Sequence, residues 1–293
     1  MTKNIVIQRA VRAAALLSIS AVALVGCATT SSDASTTAAA AGCTPADPGL
    51  TTYTAGVLTV GVPQNPPYTV LNGNKASGYE IDIVNKLAAA ECLPVSYIPV
   101  TYGNGIAMIN NQKRADLITG GWYVTPARAQ QVGFTSPIDY DEMAIISKSG
   151  IDTVKGLESI GAVGSATGFS WQGDMTKVLG DNLKSYPGTV EIKQDLQAGR
   201  IQAGLDGYAV AVDAYKGTDF KVEIAKKDPR IAITIDRPIT AFPINKSNRA
   251  LNDALSKLID QYRKDGTLAK ILTAHGLSAS LVVPADVAAK SLR

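Results

Sequence analysis

The spacing of apolar and polar positions changes along the chain, and each change marks an element. Val57-Leu58-Thr59-Val60 is a short β-branched run that stops at Gly61, which predicts a strand. After a Pro-rich loop, Ile83, Val84, Leu87 and Ala88 recur at helical spacing within residues 79–91 and predict a helix, whereas residues 95–100 return to β-type composition. Strand, helix, strand predicts a right-handed βαβ unit and a parallel sheet. Residues 105–112 predict a further short helix and residues 116–119 a strand. Thr125-Pro126-Ala127-Arg128 reads as a helix start, with Thr125 as N-cap and Pro126 in the first turn.

A second α/β series begins near Gly150: a strand over 160–163, helices over 171–179 and 194–198, a strand over 203–205 and a helix over 207–215. Leu251, Leu255, Leu258, Ile259 and Tyr262 then share one helical face, with Ser247 as a candidate cap and Gly266 as the stop. Two apolar runs closed by a polar turn with Lys, residues 143–148 and 240–246, bracket the second series. They are expected to be hinge crossings. The organisation expected is lobe one over 51–146 and 241–280, lobe two over 147–240, and a C-terminal tail over 281–293.

The N-terminal segment adds the compartment. Lys3, Arg9 and Arg12 precede an uncharged apolar run over 13–25 that ends in Leu24-Val25-Gly26-Cys27. The run is well short of the roughly 20 residues of a spanning helix, and its basic start and small-residue end read as an export signal over residues 1–26. Its ending resembles a bacterial lipobox, which makes Cys27 the expected lipidation site. Residues 28–41 hold only Ala, Ser, Thr and one Asp, too little bulky apolar surface to offset ordering; residues 27–50 read as the lipidated cysteine and a tether. Of 28 basic residues three lie in the signal, leaving 25 against 25 acidic. A neutral mature chain gives no electrostatic case for nucleic acid, and contact with a membrane is expected through the lipid anchor only. In an exported chain the remaining Cys43 and Cys92 read as a disulfide rather than as free thiols or a metal site, since His275 is the single histidine.

Several short motifs occur in a telling order: Leu58-Thr59-Val60-Gly61, Pro66-Pro67-Tyr68, Gly78-Tyr79-Glu80-Ile81-Asp82, Ala115-Asp116-Leu117, Thr125-Pro126-Ala127-Arg128, Phe134-Thr135-Ser136-Pro137, Ala198-Gly199-Arg200-Ile201 and Asp265-Gly266-Thr267. With them the chain resembles the bacterial extracellular solute-binding proteins of the polar amino-acid type, family 3, from about Val57 to Gly276. The resemblance implies a two-lobed periplasmic-binding-protein fold of type II, a small carboxylate-bearing solute as ligand, an ABC transporter permease as partner, and a monomer. It also implies that Arg128 grips the ligand carboxylate, a role suited to a planar guanidinium that keeps its charge. Thr125 and Gly121-Trp122-Tyr123 fall in the same cleft segment, and Thr167 matches a clamp position in lobe two, although a threonine in a Gly-rich turn is also structurally ordinary.

Tyr68 has two readings, a ring covering the ligand and a core residue. Trp122 is expected to offer a ring face to the ligand. The resemblance also implies that Glu80 and Asp82 organise a loop and a helix start, where negative charge suits the dipole. Two departures point to a reshaped pocket: Gly121-Trp122-Tyr123 replaces smaller residues, and the Pro63-Gln64-Asn65 loop lacks the usual acidic and stacking residues. The family's amine-holding aspartate aligns with Gly207, and Asp206 lies one position earlier. Asp206 therefore either reaches the ligand amine or caps the following helix. No catalytic triad, phosphate loop or metal-ligand cluster is legible, so no enzyme activity, cofactor or metal is expected. The alternatives are a cyclohexadienyl-dehydratase-like enzyme on the same fold and a sensing module without transport.

Overall fold

The computed structural model of the chain describes residues 42–291. The expected signal segment and Cys27 lie outside the described residues, as does most of the tether. In chain order the first elements are β1 (Leu58–Val62), β2 (Val70–Asn72), β3 (Lys75–Ser77), α1 (Tyr79–Ala90), β4 (Val95–Pro99), α2 (Gly105–Asn110), β5 (Leu117–Ile118), α3 (Pro126–Ala129) and β6 (Gly133–Phe134). They are followed by β7 (Met143–Ser147), α4 (Val154–Leu157), β8 (Val163–Ala166), α5 (Gln172–Leu179), β9 (Leu183–Tyr186), α6 (Thr189–Gln197), β10 (Ala203–Gly207), α7 (Tyr208–Ala214) and β11 (Lys221–Ile224). The chain ends with β12 (Pro243–Ile244), α8 (Arg249–Lys264), α9 (Thr267–Ala274) and α10 (Ala285–Ser291).

Two sheets result. The first has the order β4-β1-β5-β12-β6 and the second β11-β7-β10-β8-β9. In the first, β1 runs parallel to β4 and β5, as the expected βαβ unit requires, and β12 returns antiparallel beside β5 and β6. All of β1 is buried; α1 lays Ile83, Val84, Leu87 and Ala88 inward, and α8 lays Leu251, Leu255, Leu258 and Ile259 into the same core.

The second sheet corrects one boundary. Met143–Ser147 is a fully buried strand paired antiparallel with both β10 and β11, so residues 143–146 belong to the second sheet and not to lobe one or to a crossing. A run buried on both faces shows no alternation, and the sequence does not distinguish it from a connector. The crossings lie just upstream of β7 and of β12, where Tyr140 bridges Ile239 and Thr240 bridges Tyr123. Residues 281–283 are no loose tail: Tyr140 N–H donates to the Leu281 carbonyl at 2.8 Å and Val283 N–H to that of Ile138 at 3.1 Å, which adds the tail to the first crossing.

Local caps follow the chemistry with one change of residue. The Thr125 side chain accepts from Arg128 N–H as expected, but α8 is capped by Asn248, whose side chain accepts from Leu251 N–H, while Ser247 hydrogen-bonds Asn245 instead. Cys43 and Cys92 form a disulfide. It fastens the segment before β1 to the end of α1, beside hydrogen bonds from Ala46 N–H to Ala90 O and from Asp47 N–H to Glu91 Oε2, both 2.9 Å. Among the described residues no helix is long and apolar enough to cross a membrane.

Candidate functional site

Between the sheets lies a cleft with an empty volume of about 300 Å³ including its open mouth. The first sheet supplies its floor through the loop after β5. There the buried Glu80 carboxylate, carried in by the first turn of α1, accepts from the backbone N–H of Gly120 and of Gly121. Burial, more than any neighbouring charge, pushes the Glu80 carboxyl up to about 8. Gly121 is pinned from below as well, since a Cβ there would come within 2.8 Å of the Tyr68 ring, and its φ is +68°. Glu80 thus organises the loop, as the family resemblance implies.

Arg128 follows from the α3 cap. One turn beyond Thr125, its guanidinium lies 4.7 Å above the Trp122 ring centroid and donates to the carbonyls of Tyr123 at 3.0 Å and Gly168 at 2.9 Å. Gly168 belongs to the loop after β8, so this hydrogen bond spans the cleft. Arg128 is 8% exposed and makes no ion pair among the described residues; burial pulls its guanidinium down to about 10. A buried cation without a carboxylate partner is costly unless something anionic reaches it.

The opposing charges are Asp206, near the end of β10, and Asp141, in the first crossing. Both line the cleft, and both are 4% exposed. Asp206 Oδ1 accepts from its neighbour's backbone, Gly207 N–H, at 2.8 Å. Burial raises the Asp206 carboxyl well above the usual range, with Asp141 adding to the rise. Asp206 does not cap α7: the Ala209 N–H at that helix start donates to Asp141 Oδ1 at 3.2 Å. Asp141 Oδ2 accepts from Tyr123 Oη–H at 2.9 Å. Burial again dominates, and the Asp141 carboxyl is pushed up to about 7.

Of the residues singled out in the sequence, Gly121, Tyr123, Arg128 and Asp206 line the cleft together. The others stand apart from it. Tyr68 is core, 1% exposed, with its ring tilted against that of Tyr79 at a centroid distance of 4.8 Å. Trp122 is equally buried; its indole N–H donates to Thr119 O at 3.1 Å, so its ring supports Arg128 from behind rather than facing the cleft. Thr125 acts through its cap. Thr167 is exposed, with its backbone N–H on Tyr186 O at 2.8 Å.

Sequence reasoning missed Asn65, Tyr102, Asp141, Phe169 and Trp171, which also line the cleft. Tyr102, Phe169, Trp171 and Tyr123 form a chain of edge-to-face rings with centroids 4.9, 4.9 and 5.8 Å apart in succession. The aromatic pair beside Gly168 was a legible signal. Asp141, placed by the crossing between sheets, had none.

The profile described as bacterial extracellular solute-binding proteins, family 3, matches residues 58–277, the span that holds both sheets. The chain is 24% identical over 203 residues to a probable amino-acid ABC transporter-binding protein of Haemophilus influenzae, covering 67% of this chain and 75% of that one. It is 25% identical over 219 residues to an L-cystine-binding protein of Escherichia coli, covering 73% and 80%. Among solved structures it resembles an ancestral arginine-binding protein bound to arginine, with a TM-score of 0.65 and 25% identity over 75% of this chain and 97% of that one. It also resembles an ABC uptake transporter substrate-binding protein from Streptococcus pneumoniae with bound histidine, with a TM-score of 0.68 over 78% and 95%; at 19% identity the likeness is one of fold. The fold is the type II periplasmic-binding-protein fold, and with the profile covering both sheets and the cleft between them, the chain belongs to the bacterial extracellular solute-binding proteins, family 3.

Proposed function

We propose that this protein captures an amino acid between its two lobes and delivers it to an ABC importer. The observation that carries the reading is the cleft itself: buried Arg128, without an ion pair among the described residues, faces the same small cavity as Asp206. An α-carboxylate on Arg128 and an α-ammonium on Asp206 would each meet a buried opposite charge, and the aromatic rings would enclose the side chain. Names of relatives that bind amino acids support the same class. The Arg128 hydrogen bond to Gly168 O ties the lobes directly, and a bound carboxylate joins them through the same group, so ligand binding favours closure.

Thermal-shift and calorimetric screening of amino acids tests this reading. At least one should bind, its decarboxylated amine should not, and Arg128→Ala should weaken binding by about 2–5 kcal/mol, as for truncating one partner of a buried charged pair. Equal binding of the amine and the amino acid would place the anion site elsewhere. The Leu24-Val25-Gly26-Cys27 ending supports anchoring by a lipid on Cys27; loss of Cys27→Ser protein from the membrane fraction is the expected check.

A further inference from the structure

We propose that Asp141 and the side-chain oxygen of Asn65 form a second acceptor subsite in the cleft, one that makes the preferred solute a cationic amino acid of net charge +1. This rests on the amino-acid reading above and adds the charge of the side chain to it.

The charges lining the cleft are unbalanced. Arg128 is the one cation among its lining residues, against the two carboxylates Asp141 and Asp206. A zwitterion pairs one carboxylate with its ammonium and Arg128 with its own carboxylate, which leaves the second aspartate facing the enclosed solute. A buried carboxylate without a cation is costly; a second positive group on the ligand removes that cost. Behind the wall, Glu80 and Asp139 are buried too. Their hydrogen bonds go to Gly120, Gly121, Tyr79 and Thr240, and neither is among the residues that line the cavity.

Gly207 shows that the pocket is built around Asp141. Its φ of −65° and ψ of 144° are open to any residue, so no backbone requirement explains the glycine. Space does: a Cβ at position 207 would stand 2.3 Å from Asp141 Oδ2. The Asp141 carboxylate fills, from the first crossing, the volume that a side chain on the end of β10 would occupy. There it is held by Ala209 N–H and Tyr123 Oη–H, with a further hydrogen bond from Tyr68. A carboxylate has about four acceptor sites, so three donors fix it and leave room for a ligand N–H.

Asn65 supplies the second observation. It is 4% exposed and lines the cleft. Its Nδ2 donates to Tyr102 Oη at 2.6 Å and to Gly120 O at 3.2 Å. The Gly120 carbonyl accepts only from the nitrogen, so the amide orientation is set, and Oδ1 is buried with no hydrogen-bond partner. A buried acceptor left open is rare and expects a donor. An ammonium or guanidinium brings several, and the rings of Tyr102, Tyr123, Phe169 and Trp171 line the same cleft, a setting suited to a cation.

Titration calorimetry with L-arginine and L-citrulline, near-isosteres that differ in side-chain charge, tests this on the unmodified chain, with L-lysine and L-norleucine as a second pair. The cationic member of at least one pair should bind about 100-fold more tightly, the scale of a buried charged contact. Asp141→Asn should reduce that ratio to roughly tenfold or less. Binding of both neutral members as tightly as their cationic partners overturns the proposal and leaves the amino-acid reading standing. Binding of no amino acid at all overturns both. Because the wild-type ratios decide by themselves, a poorly folded variant does not remove the test.

Discussion

The cleft depends on individual atoms more than on residue types. Gly207→Ala adds one methyl group where the Asp141 carboxylate sits. The expected result is a loss of about 1–3 kcal/mol in stability, the usual cost of overpacking, with weaker ligand binding because the carboxylate is displaced. Urea unfolding and calorimetry measure the two effects, and Asp141→Ser in the same chain should recover most of the stability, a coupling that a double-mutant cycle reads directly. Asp206 and Arg128 were legible as charged residues in motifs. Asp141 was not, because nothing in Pro137-Ile138-Asp139-Tyr140-Asp141 indicates which aspartate turns to solvent, to the core or to the cleft. Trp122 shows the converse: an aromatic beside a binding motif was expected over the ligand, and burial turned it beneath the arginine instead.

At the scale of elements, strong periodicity was decisive and short runs were not. The helices α1 and α8 stand where their apolar stripes place them. The strands β7, β9 and β11 escaped recognition, the first because it is buried on both faces and the others because they carry polar residues on short edges. The α3 cap joins element to site: Thr125 accepts from the backbone N–H of Arg128 itself. Thr125→Ala should cost about 1 kcal/mol in stability, and because α3 sets the guanidinium, carboxylate-ligand affinity should fall while Thr125→Ser restores both. Unchanged affinity in the alanine variant would mean that packing on Trp122 alone positions Arg128. The disulfide acts at this scale too; with its cysteines 49 positions apart, reduction should cost at most about 4 kcal/mol by loop entropy.

Across the described residues, five buried carboxyls are displaced in one direction: Glu80 to about 8, Asp141 to about 7, Asp139 to about 6, Asp206 well upward and Asp116 upward, each chiefly by burial. Folding therefore favours their protonated forms. Stability they contribute is present below the ordinary carboxylate range and is lost as pH rises through about 6 to 8. Without ligand, the melting temperature should be higher near pH 5 than near pH 8.5. A cationic ligand should release protons on binding, and affinity should rise over the same interval; melting curves and calorimetry in buffers of different ionisation enthalpy check both. A ligand-free melting temperature that rises with pH across that window would contradict the burial of these groups.

The sequence by itself determined the two α/β series and the disulfide through periodicity and cysteine count, and the class of fold and the arginine of the cleft through the family resemblance that its short motifs carry. Only the tertiary structure decided where the chain passes between sheets and which acidic side chains meet across the cleft. Asp141, Asp206 and Asn65 lie far apart in sequence and on separate elements; their approach is set by sheet order, crossing geometry and the space left by one glycine, none of which has a local signature.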